Sequence, residues 1–262
     1  MLYRFKHWRA LRTLTLIAAL SVLSACSNLT TLLFYPDSNY YRTPEQLNIA
    51  YQTITLTTAD GSQLRSWVMS PKSLPKASIL FLHGNGENIS THMGSIAWIT
   101  EYGYEVFMLD YRGYGKSTGV PTLSNVFEDI TLAHEWLSTQ RKVPIVLIGQ
   151  SMGGALAITY AANQEQANSI VQEPLRPFTA LFSESAPASW PRIAREALSR
   201  HWLPWLAQGP ASLIPSDYDA ENFIGDISPI PLLLMHSRDD SIVELSLIHI
   251  SEPTRRTPIS YA

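Results

Sequence analysis

Ile145-Val146-Leu147-Ile148-Gly149-Gln150-Ser151-Met152-Gly153-Gly154 is the stretch that decides the fold. Residues 145–148 are aliphatic throughout, as expected of a strand buried on both faces. Residues 152–162 read as an apolar helix. Between the two sits Gly-x-Ser-x-Gly, the pattern of a sharp strand-to-helix turn. Such a turn holds its serine in strained backbone geometry, and a Cβ on its neighbours would collide with it. The helix that begins at the serine points its N-terminal amides at any negative charge that develops there. Ser151 is therefore the candidate nucleophile. A plain tight turn would give the same five letters, but not with a buried strand before them and an apolar helix after.

Outward from this stretch the chain alternates. Tyr51–Thr57 and Gln63–Met69 read as strands joined by the turn Ala59-Asp60-Gly61, a hairpin. Ser78–Leu82, Glu105–Leu109, residues 180–182 and Leu232–Met235 repeat the buried-strand look. Helical patterns fall at about 91–101, 126–138 and 152–162. Strand, helix and strand in alternation predict βαβ units, hence an α/β fold with a mostly parallel sheet and helices on both faces. No internal repeat and no low-complexity block interrupts it.

Three loops follow predicted strands and carry polar residues. His83-Gly84-Asn85-Gly86 follows Ser78–Leu82, and His83, directly at the strand end, reads as a structural residue under the loop. Asp110-Tyr111-Arg112-Gly113-Tyr114-Gly115-Lys116-Ser117 ends in a Gly-Lys-Ser that invites a phosphate-binding reading. The earlier glycine of a P-loop is missing, since Asp110 stands in its place. His236-Ser237-Arg238-Asp239-Asp240-Ser241-Ile242-Val243 follows Leu232–Met235. His92, His134 and His201 are isolated from other metal-ligating residues, so no metal site is expected.

With these motifs in this order, residues 51–244 resemble the α/β-hydrolase serine hydrolases, of the serine-aminopeptidase-like or monoglyceride-lipase-like branch. The resemblance implies roles. Ser151 would be the nucleophile and Asp240 the triad carboxylate, with Asp239 the neighbour most easily confused with it. The oxyanion donors would be the backbone N–H groups of Met152 and Asn85. Residues 186–223, with Trp190, Trp202 and Trp205, would form a short cap. Its aromatics either line an apolar acyl pocket or simply pack the domain. The expected chemistry is hydrolysis of a small-molecule or lipid acyl ester, or a thioester, with no cofactor. Amide hydrolysis, acyltransfer with the same nucleophile, and a non-catalytic binding module are the alternatives.

The termini carry separate signals. The chain has 262 residues and a formal charge of -3. Arg4, Lys6, Arg9 and Arg12 lie in an N-terminal segment without acids, so the remainder is more acidic still, which argues against nucleic acid as a partner. Residues 14–23 are apolar, too short for a span of roughly 20 residues but suited to a signal-peptide core. The run ends in Leu23-Ser24-Ala25-Cys26, with the one cysteine of the chain. These residues resemble a bacterial lipobox. The resemblance implies a signal peptide over 1–25, lipidation of Cys26, a membrane contact through that anchor, and a place in the cell envelope, at the outer membrane given Ser27. Residues 26–50, polar and punctuated by Tyr and Pro, read as a tether. The oligomeric state is left open.

At the other end a triad needs a histidine after the acid, normally beyond one further strand. The one histidine past His236 is His249, within Leu245-Ser246-Leu247-Ile248-His249-Ile250-Ser251-Glu252-Pro253-Thr254-Arg255. That segment, and Ile259-Ser260-Tyr261-Ala262, resemble the in-frame translation of a transposon-end adapter used in DNA library preparation. The expectation is that the natural sequence departs near Glu244, that residues 245–262 are non-native, and that the general base is missing from the chain as written.

Overall fold

The structure is a computed structural model, and it describes residues 30–168, 174–199, 214–237 and 240. Seven strands form one sheet: β1 (Tyr51–Thr57), β2 (Gln63–Met69), β3 (Ser78–Leu82), β4 (Glu105–Leu109), β5 (Ile145–Gln150), β6 (Phe178–Glu184) and β7 (Leu232–Met235). Their order across the sheet is β1-β2-β4-β3-β5-β6-β7. The hairpin β1/β2 and the pair β2/β4 are antiparallel. All pairings from β4 through β7 are parallel. The chain thus has the α/β-hydrolase architecture that the motif order implied.

The central strands are apolar because neither face meets water. β3 and β4 are buried at every position. Each fully buried aliphatic or Phe side chain there stabilises the fold by about 1.5–3 kcal/mol. Among the described residues there are four α-helices: α1 (Ile89–Ile96), α2 (Leu123–Gln140), α3 (Met152–Asn168) and α4 (Trp190–Ser199). α2 is entered through a capping box, in which the Thr122 hydroxyl accepts from Asn125 N and the Asn125 side chain accepts from Thr122 N. α3 is buried at each residue from Met152 to Ala162, which explains its all-round apolar sequence.

At the other edge, β7 is partly exposed along its length and ends the sheet among the described residues. No helix among the described residues is long and apolar enough to cross a membrane. The signal-peptide and Cys26 readings, and the tail at 245–262 with His249, lie outside the described residues.

One reading changes and one open alternative is decided for Trp190. Residues 26–50 do not behave as a free tether over their described part, 30–50. Leu33 and Phe34 are buried in the main core, and the Thr30 hydroxyl accepts from Leu123 N at 3.3 Å. This segment is a strap laid across the carboxyl end of the sheet. In the proposed cap, Trp190 packs the domain. It is buried in the core and donates its indole N–H to Tyr218 O at 2.9 Å. Trp202 and Trp205 lie outside the described residues.

Candidate active site

Ser151 stands at the junction of β5 and α3 with a left-handed φ of 52°. Its N–H donates to Glu184 O at 2.7 Å, and its carbonyl accepts from Gly154 N and Ala155 N. The flanking glycines answer to contact distances. A Cβ at Gly149 would lie 2.2 Å from Gly153 O, and one at Gly153 would lie 2.0 Å from Leu82 O. Those are backbone atoms that cannot swing aside, so α3 can press against β3 and β5 nowhere but through glycine. Leu82 pairs with Gly149 across the sheet, which sets the loop after β3 beside the serine.

That loop is His83-Gly84-Asn85-Gly86. A Cβ built on Gly84 would touch Ser151 Cβ at 3.4 Å, so the loop backbone runs against the candidate nucleophile itself. Among the described residues, neither the Asn85 N–H nor the Met152 N–H has a hydrogen-bond acceptor in the protein. Two backbone donors beside a strained serine hydroxyl can stabilise an oxyanion on an acyl carbon bound there.

The Asn85 side chain fastens the loop. Its Oδ1 accepts from Tyr35 N at 2.9 Å, Tyr114 Oη at 2.7 Å and Gly86 N at 3.1 Å, while its Nδ2 donates to Leu33 O at 2.5 Å. Asn88 adds donations to Asp37 O and Asn39 O. The strap and the Tyr114 turn therefore hold the loop from outside. No local sequence signal marked residues 30–42 for this role, because their partners lie about 50 to 80 positions away.

His83 is fully buried under the loop, with Nδ1 2.8 Å from Gly84 O. Burial, helped by the nearby His92, lowers its pKa to about 3, so the ring stays neutral. It plays the structural part expected of it. Asp110, 3.5 Å from His83 Nε2, accepts from Ile89 N and Tyr40 Oη, and burial raises its pKa to about 7. Arg112 is buried and bridges Asp129, Glu128 and Asp60. Lys116 of the Gly-Lys-Ser triplet donates to Ser38 O at 2.8 Å, so that lysine fixes the strap. A Cβ at Gly115 would lie 2.0 Å from Asp110 Oδ2, which leaves that turn no room for a phosphate.

Asp240 follows β7 at the same carboxyl edge as Ser151, with β6 between their strands. The two strand ends are two inter-strand spacings apart, roughly 10 Å. The Asp240 N–H donates to Ser237 O, and its Oδ2 lies 3.8 Å from His236 Nε2. Asp239 lies outside the described residues. His134 is a core residue, with its ring nitrogens against Tyr160 Oη and Arg176 O. No group of metal-ligating side chains occurs among the described residues.

Residues 73–218 match the family described as "Serine aminopeptidase, S33". The chain belongs to the S33 serine aminopeptidase family. This S33 member is 31% identical over 219 residues to "Uncharacterized protein YfhR" of Escherichia coli O157:H7, covering 80% of this chain and 69% of that one. Among solved structures it is similar to the Pyrococcus furiosus esterase Pf2001, with a TM-score of 0.65 at 21% identity over 87% of this chain and 86% of the other. Est1E from Butyrivibrio proteoclasticus, solved with ferulic acid bound, gives a TM-score of 0.62 at 21% identity over 80% and 88%. These structural likenesses carry the fold, and the S33 family membership makes the chain a hydrolase of the α/β-hydrolase fold.

Proposed function

We propose that the S33 domain cleaves a carboxylic ester or thioester through an acyl-enzyme on Ser151. The observation that carries this reading is the φ of 52° at Ser151, at the head of α3 and against Gly84 of the loop. A binding scaffold gains nothing from holding a serine in a conformation that costs about 1–3 kcal/mol.

In the proposed sequence, Ser151 Oγ adds to the acyl carbon while its proton passes to a histidine base. The Asn85 and Met152 N–H groups take the charge on the carbonyl oxygen. The tetrahedral species collapses, and the alcohol or thiol leaves with the proton from the base. Water, deprotonated by the same base, then cleaves the acyl-serine ester and releases the acid. Asp240 orients the base and stabilises its imidazolium. The base itself is a histidine outside the described residues. Lipidation of Cys26 would put this reaction at the cell envelope, with a membrane or small acyl ester as substrate.

A fluorophosphonate probe and a short-chain p-nitrophenyl ester test the reading on the full gene product. Labelling at Ser151 together with a loss of turnover on the order of a million-fold in Ser151→Ala is the expected result. A Ser151→Ala variant that keeps turnover within about tenfold of the parent, or a parent that the probe does not label, overturns it.

A further inference from the structure

We infer that His92 is a positioning residue, the tie that holds the oxyanion loop against the nucleophile turn. The inference rests on the proposed role of Ser151. His92 lies on α1, half-buried, and its ring spans two segments that sequence alone keeps apart. Nε2 is 3.2 Å from Gly86 O, the residue after Asn85. Nδ1 is 3.1 Å from Gln150 Oε1, the residue before Ser151. Between those contacts, Cε1 lies 3.1 Å from where a Cβ of Gly84 would stand. The ring thus touches the residues on both sides of the loop donor and the residue that precedes the nucleophile.

The partners decide what the ring must do. Gln150 donates its amide nitrogen to Glu184 Oε2 at 3.2 Å. Turning that amide over would set its oxygen against the carboxylate, so Glu184 keeps Gln150 Oε1 facing the ring. Gly86 offers a carbonyl. Both ring nitrogens therefore face oxygens that carry no hydrogen. A doubly protonated imidazole donates to both, and either neutral tautomer donates to one and leaves the other contact unmade. The titratable and charged groups around the ring are Glu184 at the end of β6, His83 at the end of β3 with its rings 5.3 Å apart, and Asp110 behind His83. Burial keeps the neighbouring His83 ring uncharged.

Removing the ring releases both ends of the tie. With the loop looser, the Asn85 N–H is less well aimed at the oxyanion. Since an oxyanion-hole donor contributes about 100- to 1000-fold to turnover, a misaimed one forfeits part of that. The effect falls on kcat, because the donor acts on charge that exists in the transition state.

The experiment uses the full gene product, with kcat and KM on a p-nitrophenyl ester and fluorophosphonate labelling alongside. His92→Gln is expected to lose about 10- to 100-fold in kcat with little change in KM. Glu184→Gln, at an exposed side chain, removes the carboxylate that orients Gln150 and should lower kcat in the same direction but by less, again with little change in KM. It keeps the test decisive if His92→Gln does not fold. A parent that labels at Ser151, with both variants keeping the parental kcat or changing KM alone, overturns the role of His92 and leaves the nucleophile standing. A parent that does not label sinks both.

Discussion

The Tyr114 hydroxyl donates to Asn85 Oδ1 at 2.7 Å, joining the turn after β4 to the loop after β3. Tyr114 is itself buried, so the phenol cannot exchange this partner for water. Tyr114→Phe removes the donor and leaves Asn85 Oδ1 with Tyr35 N and Gly86 N. The expected cost in stability is about 1 kcal/mol, the net worth of one such bond. Activity should fall several-fold through kcat, with KM nearly unchanged. Urea unfolding and steady-state kinetics on one preparation check both. A variant that loses stability but keeps kcat would mean that the loop is posed by the strap alone.

Ser151 holds its left-handed φ because β5, Glu184 and α3 leave it no alternative. Glycine takes that conformation without a Cβ penalty, whereas alanine keeps the penalty. Ser151→Gly should therefore be more stable than Ser151→Ala by about 1 kcal/mol, although both lack the serine hydroxyl. Denaturant midpoints of the two variants, at equal slope, measure the difference. Equal midpoints would remove strain as an explanation of the turn.

What the sequence made legible were the elements whose neighbours are close in sequence or repeat a simple period. β3 and β4 are apolar apart from Ser78 and Glu105 because both faces are covered, and their bounds coincide with the runs read from the sequence. The turn at Ser151 was legible because strand, glycines and helix are contiguous. The strap was not. Its two core residues, Leu33 and Phe34, sit among polar neighbours without a period, and its hydrogen bonds end on Asn85, Asn88 and Leu123. His92 looked isolated for the same reason, since its partners Gly86 and Gln150 meet through the sheet and not along the chain. α4 escaped notice because its start, Trp190-Pro191, lies in a stretch whose Trp and Pro content reads as irregular.

The strap also bears on Cys26. The described fold begins at Thr30, four positions on, a reach of at most roughly 14 Å of extended chain. A lipid on Cys26 would hold this edge of the domain close to the bilayer. The expected outcome is a mature protein that partitions into detergent, with a mass at its N-terminus matching a diacylated cysteine. Cys26→Ser should stay in the aqueous phase, because two or more acyl chains anchor stably and none remains in the variant. An unmodified N-terminus at another residue in the wild-type mass spectrum would remove the envelope assignment.

Asp110 and His83 pull stability in opposite directions with pH. Burial raises Asp110 from 3.8 to about 7, so between those values the folded protein keeps a proton that the unfolded chain has lost. Its contribution to stability falls as pH rises through that window. Burial lowers His83 from 6.5 to about 3, so the unfolded chain there binds a proton that the folded protein refuses. Its contribution rises with pH through its own window. Where the windows overlap, from 3.8 to 6.5, the pair's two slopes offset each other. Asp110→Asn preserves the shape and leaves the His83 slope unopposed. The stability of the variant relative to the parent should then climb by up to about 1.4 kcal/mol per pH unit across the overlap. It should continue to climb to about pH 7, where Asp110 finishes titrating in the folded parent. The carboxyl of Asp129, also raised by burial, is common to both proteins and drops out of the difference. Urea unfolding of parent and variant at intervals from mildly acid to neutral pH gives the two curves. Parallel curves would mean that Asp110 is ionised throughout, held so by Ile89 N and the Tyr40 hydroxyl, and that its contact with His83 moves no proton.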